Sequence, residues 1–217
     1  MKRLRMLLAT TAIVAGAAGA DAAAPNWRAP GREVVYKTSG GEEQKMELFF
    51  PPEHDPRKAK VPAVILFHGG GWAGGNLVQF RHACNYFARR GLVAATVNYR
   101  MHTKEQAQAL PPGESRKRVC VTDAKSAIRW VKSHAAELGV DPDKIVTGGG
   151  SAGGQICVLA ALNADGLDDP ADPPGVDTSV RAFLLFNPAF VAPGRDRDPE
   201  VDVYEHLDGK LPPFLFM

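Results

Sequence analysis

The run Gly149-Gly150-Ser151-Ala152-Gly153 sets one serine among glycines, where an apolar strand pattern gives way to an apolar helix pattern. A serine on so tight a turn must adopt a strained backbone. The flanking glycines remove side chains that would collide with the neighbouring strand and helix. The hydroxyl would project at the top of a sheet, beside a helix N-terminus whose free N–H groups favour developing negative charge. That arrangement suits nucleophilic attack on a carbonyl carbon, although the pentapeptide alone also fits a glycine-rich turn carrying an ordinary serine.

A second motif is independent in sequence. His68-Gly69-Gly70-Gly71-Trp72 ends the apolar run Val61–Phe67, and its glycines leave backbone N–H groups free to aim at an oxygen becoming an oxyanion. The N–H of Ala152, the residue after the serine, would complete that set of donors. A phosphate-binding loop is disfavoured, because there is no Gly-Lys-Ser/Thr ending and no G-x-G-x-x-G opening a helix with a partner acid. Among other polar residues, His54, His82, His102 and His134 read as surface or packing groups. Asp123 falls in mid-helix and reads as a satisfied buried carboxylate. Asp165, Asp168, Asp169 and Asp172 read as a solvated acidic loop, since their spacing does not match a calcium loop.

The elements that would hold these motifs follow from periodicity. Glu33–Lys37 and Met46–Phe50 read as strands joined by a turn at Ser39-Gly40-Gly41. Val61–Phe67 and Leu92–Val97 read as strands buried on both faces. Val78–Arg90 and Lys117–Leu138 carry apolar residues at helical spacing, with Gly91 and Gly139 at their ends, and the segment Met101–Arg116 reads as surface loop. Asp141-Pro142-Asp143 turns the chain into a short strand, Lys144–Thr147. A helix over Ile156–Leu162, an acidic loop over Asp165–Asp177, and strands at Ala182–Asn187 and Phe214–Met217 complete the pattern. Strand and helix alternate from Val61 onward, so the expected architecture is α/β, a mainly parallel twisted sheet with helices on both faces.

The 217 residues are 45% hydrophobic and 23% charged, the composition of a globular chain able to bury a core. The formal charge of +2 misleads. Lys2, Arg3 and Arg5 precede an uncharged stretch, Met6–Ala20, that is too short and too rich in small residues to favour a membrane span and reads as a secretory leader cleaved after Ala20. Without residues 1–20, 23 Lys and Arg face 24 Asp and Glu, a net charge of −1. No basic stripe with interleaved aromatics remains, so nucleic acid is a poor partner, and no membrane association is expected after leader removal. Residues 21–32 then read as a linker and 33–217 as the folded domain. Cys84, Cys120 and Cys157 have no metal-ligand spacing and read mainly as buried hydrophobes within helices, with one bridge open.

Together the motifs are similar to the α/β-hydrolase superfamily, in particular the bacterial carboxylesterases of the hormone-sensitive-lipase-like and feruloyl/acetyl-esterase-like groups. The likeness covers Val61–Asn187. It rests on His68-Gly69-Gly70-Gly71-Trp72, Val97-Asn98-Tyr99-Arg100, Asp123-Ala124-Lys125-Ser126-Ala127 with Trp130, Gly139–Ile145 and Gly149–Gly154. The resemblance implies Ser151 as nucleophile, Gly70, Gly71 and Ala152 as oxyanion donors, and His68 as anchor of the oxyanion loop. It implies ester hydrolysis through an acyl-enzyme, with no metal or organic cofactor and with a small-molecule or polysaccharide-borne ester as substrate. Trp72 and Arg100 would brace the loops.

One departure matters. The superfamily order is Ser, then Asp or Glu, then His, and Phe214–Met217 resembles the strand that precedes the acid. The acid and the His, with the last strands and helix, are therefore expected beyond residue 217. His206 lies in the excursion before that strand, where pocket or lid elements sit. An amidase, peptidase or arylformamidase-like acyl transfer on the same motifs, and a secreted binding protein without catalysis, stay open.

Overall fold

The computed structural model describes residues 26–162, 166–196, 198–207 and 209–217. The expected leader, 1–20, the start of the linker and Asp165 lie outside them. Seven strands form one sheet: β1 (Arg32–Ser39), β2 (Glu42–Phe49), β3 (Val61–Phe67), β4 (Val93–Val97), β5 (Val140–Gly150), β6 (Ala182–Phe186) and β7 (Phe214–Phe216). Their order is β1-β2-β4-β3-β5-β6-β7. The hairpin β1–β2 runs antiparallel and joins β4 antiparallel, and every other pairing is parallel. Gly40 and Gly41, at φ 60° and 83°, make the expected hairpin turn.

The sheet is covered on both sides, and the period-two alternation of β3 shows how. Ala63, Ile65 and Phe67 face one core with α3 (Arg116–Ser133) and α5 (Ala152–Leu162), while Val64 and Leu66 face a second, smaller core under α1 (Arg81–Ala88). Cys84, Cys120 and Cys157 sit in α1, α3 and α5, buried and unbridged. Burial raises all three thiol pKa values. Among the described residues no helix is long and apolar enough to cross a membrane.

Several expectations need correction. The segment Met101–Arg116 is not all loop: Thr103 accepts the Gln106 N–H while the Gln106 side chain accepts the Thr103 N–H, and this capping box starts a short helix, α2 (Lys104–Gln108). The helix expected over Lys117–Leu138 is two, α3 and α4 (Ala135–Leu138). At the break the His134 ring stacks on Trp130 at 4.1 Å and its Nδ1 bonds the Trp130 carbonyl. A 3-10 turn, Leu77–Phe80, precedes α1, so the helix begins later than its periodicity suggests. Asp141-Pro142-Asp143 bulges within β5, whose pairing with β3 skips from Val140 to Ile145.

The acidic segment is also not merely solvated. Asp168 pairs with Lys125 and Arg129 at 2.6 and 2.7 Å, Asp172 with Arg129 at 2.9 Å, and Asp169 with Lys37 at 2.5 Å. Partial burial pushes the Asp168 and Asp169 carboxyls up, but the hydrogen bonds and cations facing them prevail and hold both below the ordinary range. These contacts tie the loop along α3. Below it lies Asp123, fully buried, which accepts from Lys37 Nζ at 2.8 Å, from Arg100 Nε and Nη2 at 2.9 and 2.7 Å, and from the Arg100 backbone N–H at 2.9 Å.

Where β5 leaves the sheet, close approach replaces side-chain packing. An added Cβ on Gly153 would overlap the carbonyl oxygens of Phe67 and His68, and one on Gly148 would overlap Leu184 O. Gly153→Ala is therefore expected to cost about 1–3 kcal/mol, as overpacking against backbone does. The matched Gly74→Ala, whose nearest neighbour would stand 3.9 Å away, should change stability by less than about 0.5 kcal/mol. Urea titration followed by circular dichroism measures both. In the same assay Asp123→Asn should lose about 3–5 kcal/mol, because it strips the countercharge from Lys37 and Arg100.

Candidate active site

The site forms where the ends of β3 and β5 meet. β5 runs to Gly150, and α5 begins at Ala152, leaving Ser151 alone at the corner with φ 51°. For a residue with a Cβ this is the strained, left-handed region, as the motif demands. The corner is pinned through its backbone: Ser151 N–H donates to Phe186 O at 3.0 Å, and Ser151 O accepts from Ala189 N–H at 2.9 Å. The side chain is left exposed. Among the described residues, no hydrogen bond reaches Ser151 Oγ.

Facing it is the turn after β3. Gly69 abuts the corner so closely that an added Cβ would stand 2.9 Å from Gly150 O and 3.3 Å from Ser151 Cβ. Gly70, at φ 137°, accepts at its carbonyl from Ala73 and Gly74 N–H. Gly71 and Trp72 follow with φ near 60°. The N–H groups of Gly70 and Gly71 have no partner among the described residues, and that of Ala152 lies in the first turn of α5, where the helix supplies none. Gly69, Gly70, Gly75, Asn76, Val78, Gln79 and Ser151 line a cleft of about 410 Å³. Of the predicted site residues, Ser151 and Gly70 line this cleft, whereas Gly71 and Ala152 adjoin those two in the chain without lining it.

His68 is fully buried, and its bonds go to other groups than Ser151. Its Nδ1 donates to Gly69 O at 2.8 Å, its Nε2 faces the Asn98 side-chain amide at 3.3 Å, and its ring stacks on Tyr99 at 4.3 Å. Burial lowers the imidazole pKa more than these hydrogen bonds raise it, so the ring is neutral near pH 7. Tyr99 OH donates to His68 O at 2.6 Å, and burial keeps that phenol protonated. Arg100 is engaged by Asp123, and Trp72 lies 4.6 Å from Lys117 Nζ, whose ammonium also pairs with Asp196.

No hydrogen bond joins a described histidine to Ser151 Oγ, and His102 Nδ1 is buried without a partner among the described residues. His54 bonds Leu138 O, His134 bonds Trp130 O, His82 packs on Trp27, and His206 Nε2 bonds Pro199 O. Nor do three or more His, Cys, Asp or Glu side chains converge as metal ligands among the described residues. A larger apolar cavity of about 560 Å³ lies between α1 and the β6–β7 edge, and none of the predicted site residues lines it. Sequence reasoning missed Gln79, whose Oε1 accepts the Gly69 N–H at 2.6 Å. It gave Asn98 and Tyr99 no role at the site either, although both stand in the Val97-Asn98-Tyr99-Arg100 run that carries the resemblance.

The comparisons agree with this fold. Apo esterase 2 of Thermogutta terrifontis superposes with a TM-score of 0.75 at 34% identity over 87% of this chain and 71% of that one, and the same esterase phosphorylated by paraoxon aligns at 36% identity, also with a TM-score of 0.75, over 87% and 70%. Esterase LipQ of Mycobacterium tuberculosis is 31% identical over 73% of this chain and 37% of its own length, and carboxylesterase NlhH of the same organism is 32% identical over 67% and 41%. The chain thus spans about two fifths of the length of these curated relatives. The BD-FAE family model matches residues 46–183, from β2 through the end of the acidic loop and into β6, with both glycine motifs inside the match. The mainly parallel sheet, the serine corner and this match together make the chain a member of the BD-FAE family of α/β hydrolases.

Proposed function

We propose that this chain carries the nucleophile and the oxyanion-binding loop of a secreted serine carboxylic ester hydrolase. The observation that carries the reading is Ser151, held at φ 51° on the β5–α5 corner and opening directly onto the Gly69-Gly70 cleft. Ser151 Oγ attacks the ester carbonyl carbon and gives up its proton to solvent water. The carbonyl π electrons move onto oxygen, and the oxyanion is held by the N–H groups of Gly70, Gly71 and Ala152. Collapse expels the alcohol, which takes a proton, and leaves an acyl group on Ser151. Water then releases the acid and restores the hydroxyl. Each donor in such a set is worth about 3 kcal/mol in the transition state, because it is fixed before charge develops. The LipQ and NlhH names and the esterase structures support an ester over an amide substrate. The leader pattern at 1–20 supports export, and short acyl groups on extracellular polysaccharide are the substrate class proposed.

His68 serves the loop and not the proton, since both its ring nitrogens are occupied and the ring lies under the turn. No described histidine hydrogen-bonds Ser151 Oγ, which supports the reading that no base among the described residues activates the hydroxyl. Losing one member of a triad leaves about 10³–10⁴-fold acceleration over water, from binding and the oxyanion hole. The 217-residue protein is therefore expected to acquire one acetyl group from p-nitrophenyl acetate slowly, with no rapid turnover. Intact-mass spectrometry follows the adduct, and Ser151→Ala should abolish it. Rapid Ser151-dependent turnover would overturn the absence of a base, and acylation undiminished in Ser151→Ala would overturn the nucleophile assignment.

A further inference from the structure

Gln79 belongs to no motif, yet it bonds one glycine turn of the site and lines the same cleft as Ser151. Its Oε1 accepts the Gly69 N–H at 2.6 Å, and its Nε2 would stand 3.8 Å from a Cβ added to Gly150, the residue before Ser151. The carboxamide thus bonds the turn that offers donors and lies beside the corner that bears the hydroxyl. The turn that carries it is held on every side. Asn76 caps it by accepting the Val78 N–H at 3.0 Å, Thr96 Oγ1 donates to Leu77 O at 2.7 Å from β4, and Phe80 is buried 5.4 Å from the Phe186 ring on β6. Gln79 is therefore delivered to the cleft by rigid neighbours, and its own side chain supplies the last link.

We propose that Gln79 is a positioning residue that fixes the His68–Gly69 peptide plane and, through the turn that follows it, aims the N–H groups of Gly70 and Gly71 across the cleft at Ser151; the inference rests on Ser151 being the nucleophile. The His68–Gly69 peptide plane has Gln79 Oε1 accepting its N–H and Tyr99 OH donating to its carbonyl, so both polar ends are fastened and it cannot rotate without breaking a bond, while His68 Nδ1–H holds the carbonyl of the next plane, which carries the Gly70 N–H. Glycine imposes no conformation of its own. Three glycines in a row would leave the next two amides undirected, and directed amides are what stabilise developing charge. Gln79 does not touch the reacting carbonyl in this account. It acts through Gly69.

The test uses the full 217-residue chain with paraoxon as probe, following phosphorylation of Ser151 by intact mass and exchange of the Gly69 amide by NMR. Gln79 is exposed, so its substitution should leave the melting temperature unchanged. Gln79→Met removes the acceptor at nearly constant length: Gly69 exchange should quicken at least about tenfold and phosphorylation slow at least about tenfold, less than the roughly 10²–10³-fold that outright loss of an oxyanion donor costs, because the donors are misaimed and not removed. Gln79→Glu keeps an acceptor and should keep Gly69 protected. Wild-type phosphorylation in Gln79→Met overturns the proposal and leaves Ser151 in its role. Slower phosphorylation with unchanged Gly69 exchange, or loss of Gly69 protection in Gln79→Glu, also overturns it. If the wild type is not modified at Ser151, the nucleophile reading fails and this inference falls with it.

Discussion

The carboxyl ends of β3 and β5 approach each other more closely than side chains allow, and the rest of the site is arranged around that contact. Gly149 and Gly153 lie against Phe67 O, Gly153 also against His68 O, and Gly69 against Gly150 and Ser151. Parallel strands of a sheet are spaced by their hydrogen bonds, at about 4.8 Å. Packing a helix start and a turn over that spacing leaves room for backbone only. The glycines are there for volume first and for conformation second, and what the approach produces is a cleft that Ser151 lines together with Gly69 and Gly70.

Behind the cleft, three successive residues distribute the load. Asn98 meets the His68 ring and, through its carbonyl, the Tyr36 hydroxyl of β1. Tyr99 stacks under His68 and holds its carbonyl. Arg100 runs to Asp123 on α3, where Lys37 of β1 also ends. The antiparallel hairpin at the sheet edge is in this way linked by polar contacts to the turn that faces Ser151. A buried carboxylate with two cations is poor evidence of net stabilisation, because desolvation offsets much of the attraction. Its geometric effect is clearer: it fixes β1, α3 and the end of β4 relative to one another.

The sequence was most readable where backbone geometry and residue type are tightly coupled. β3 matches its expected bounds, the Gly40-Gly41 turn and the Gly91 and Gly139 helix ends have the positive φ that glycine permits, and Ser151 has the strain its motif requires. Asp123 is the satisfied carboxylate its mid-helix position suggested. Reading failed where a contact joins segments far apart in the chain. The partners of Asp168, Asp169 and Asp172 lie about 40 residues or more away, so nothing local distinguished a clamped acid from a solvated one. Gln79 was invisible for the same reason, since a polar residue at the start of a helical pattern gives no sign that its side chain turns back ten positions to a glycine amide. The break at His134 and the bulge in β5 are local features, but each depends on tertiary packing that the periodicity does not record.

The three thiols have a practical meaning that their packing does not announce. Each sits on a different helix, one under the smaller core and two under the larger, and each is kept protonated by burial. A thiolate reagent can reach them only when the helix above opens, whereas a reagent for the hydroxyl finds Ser151 already at the surface. The folded chain therefore carries two chemically orthogonal clocks. One reads the integrity of α1, α3 and α5 separately, and the other reads the cleft.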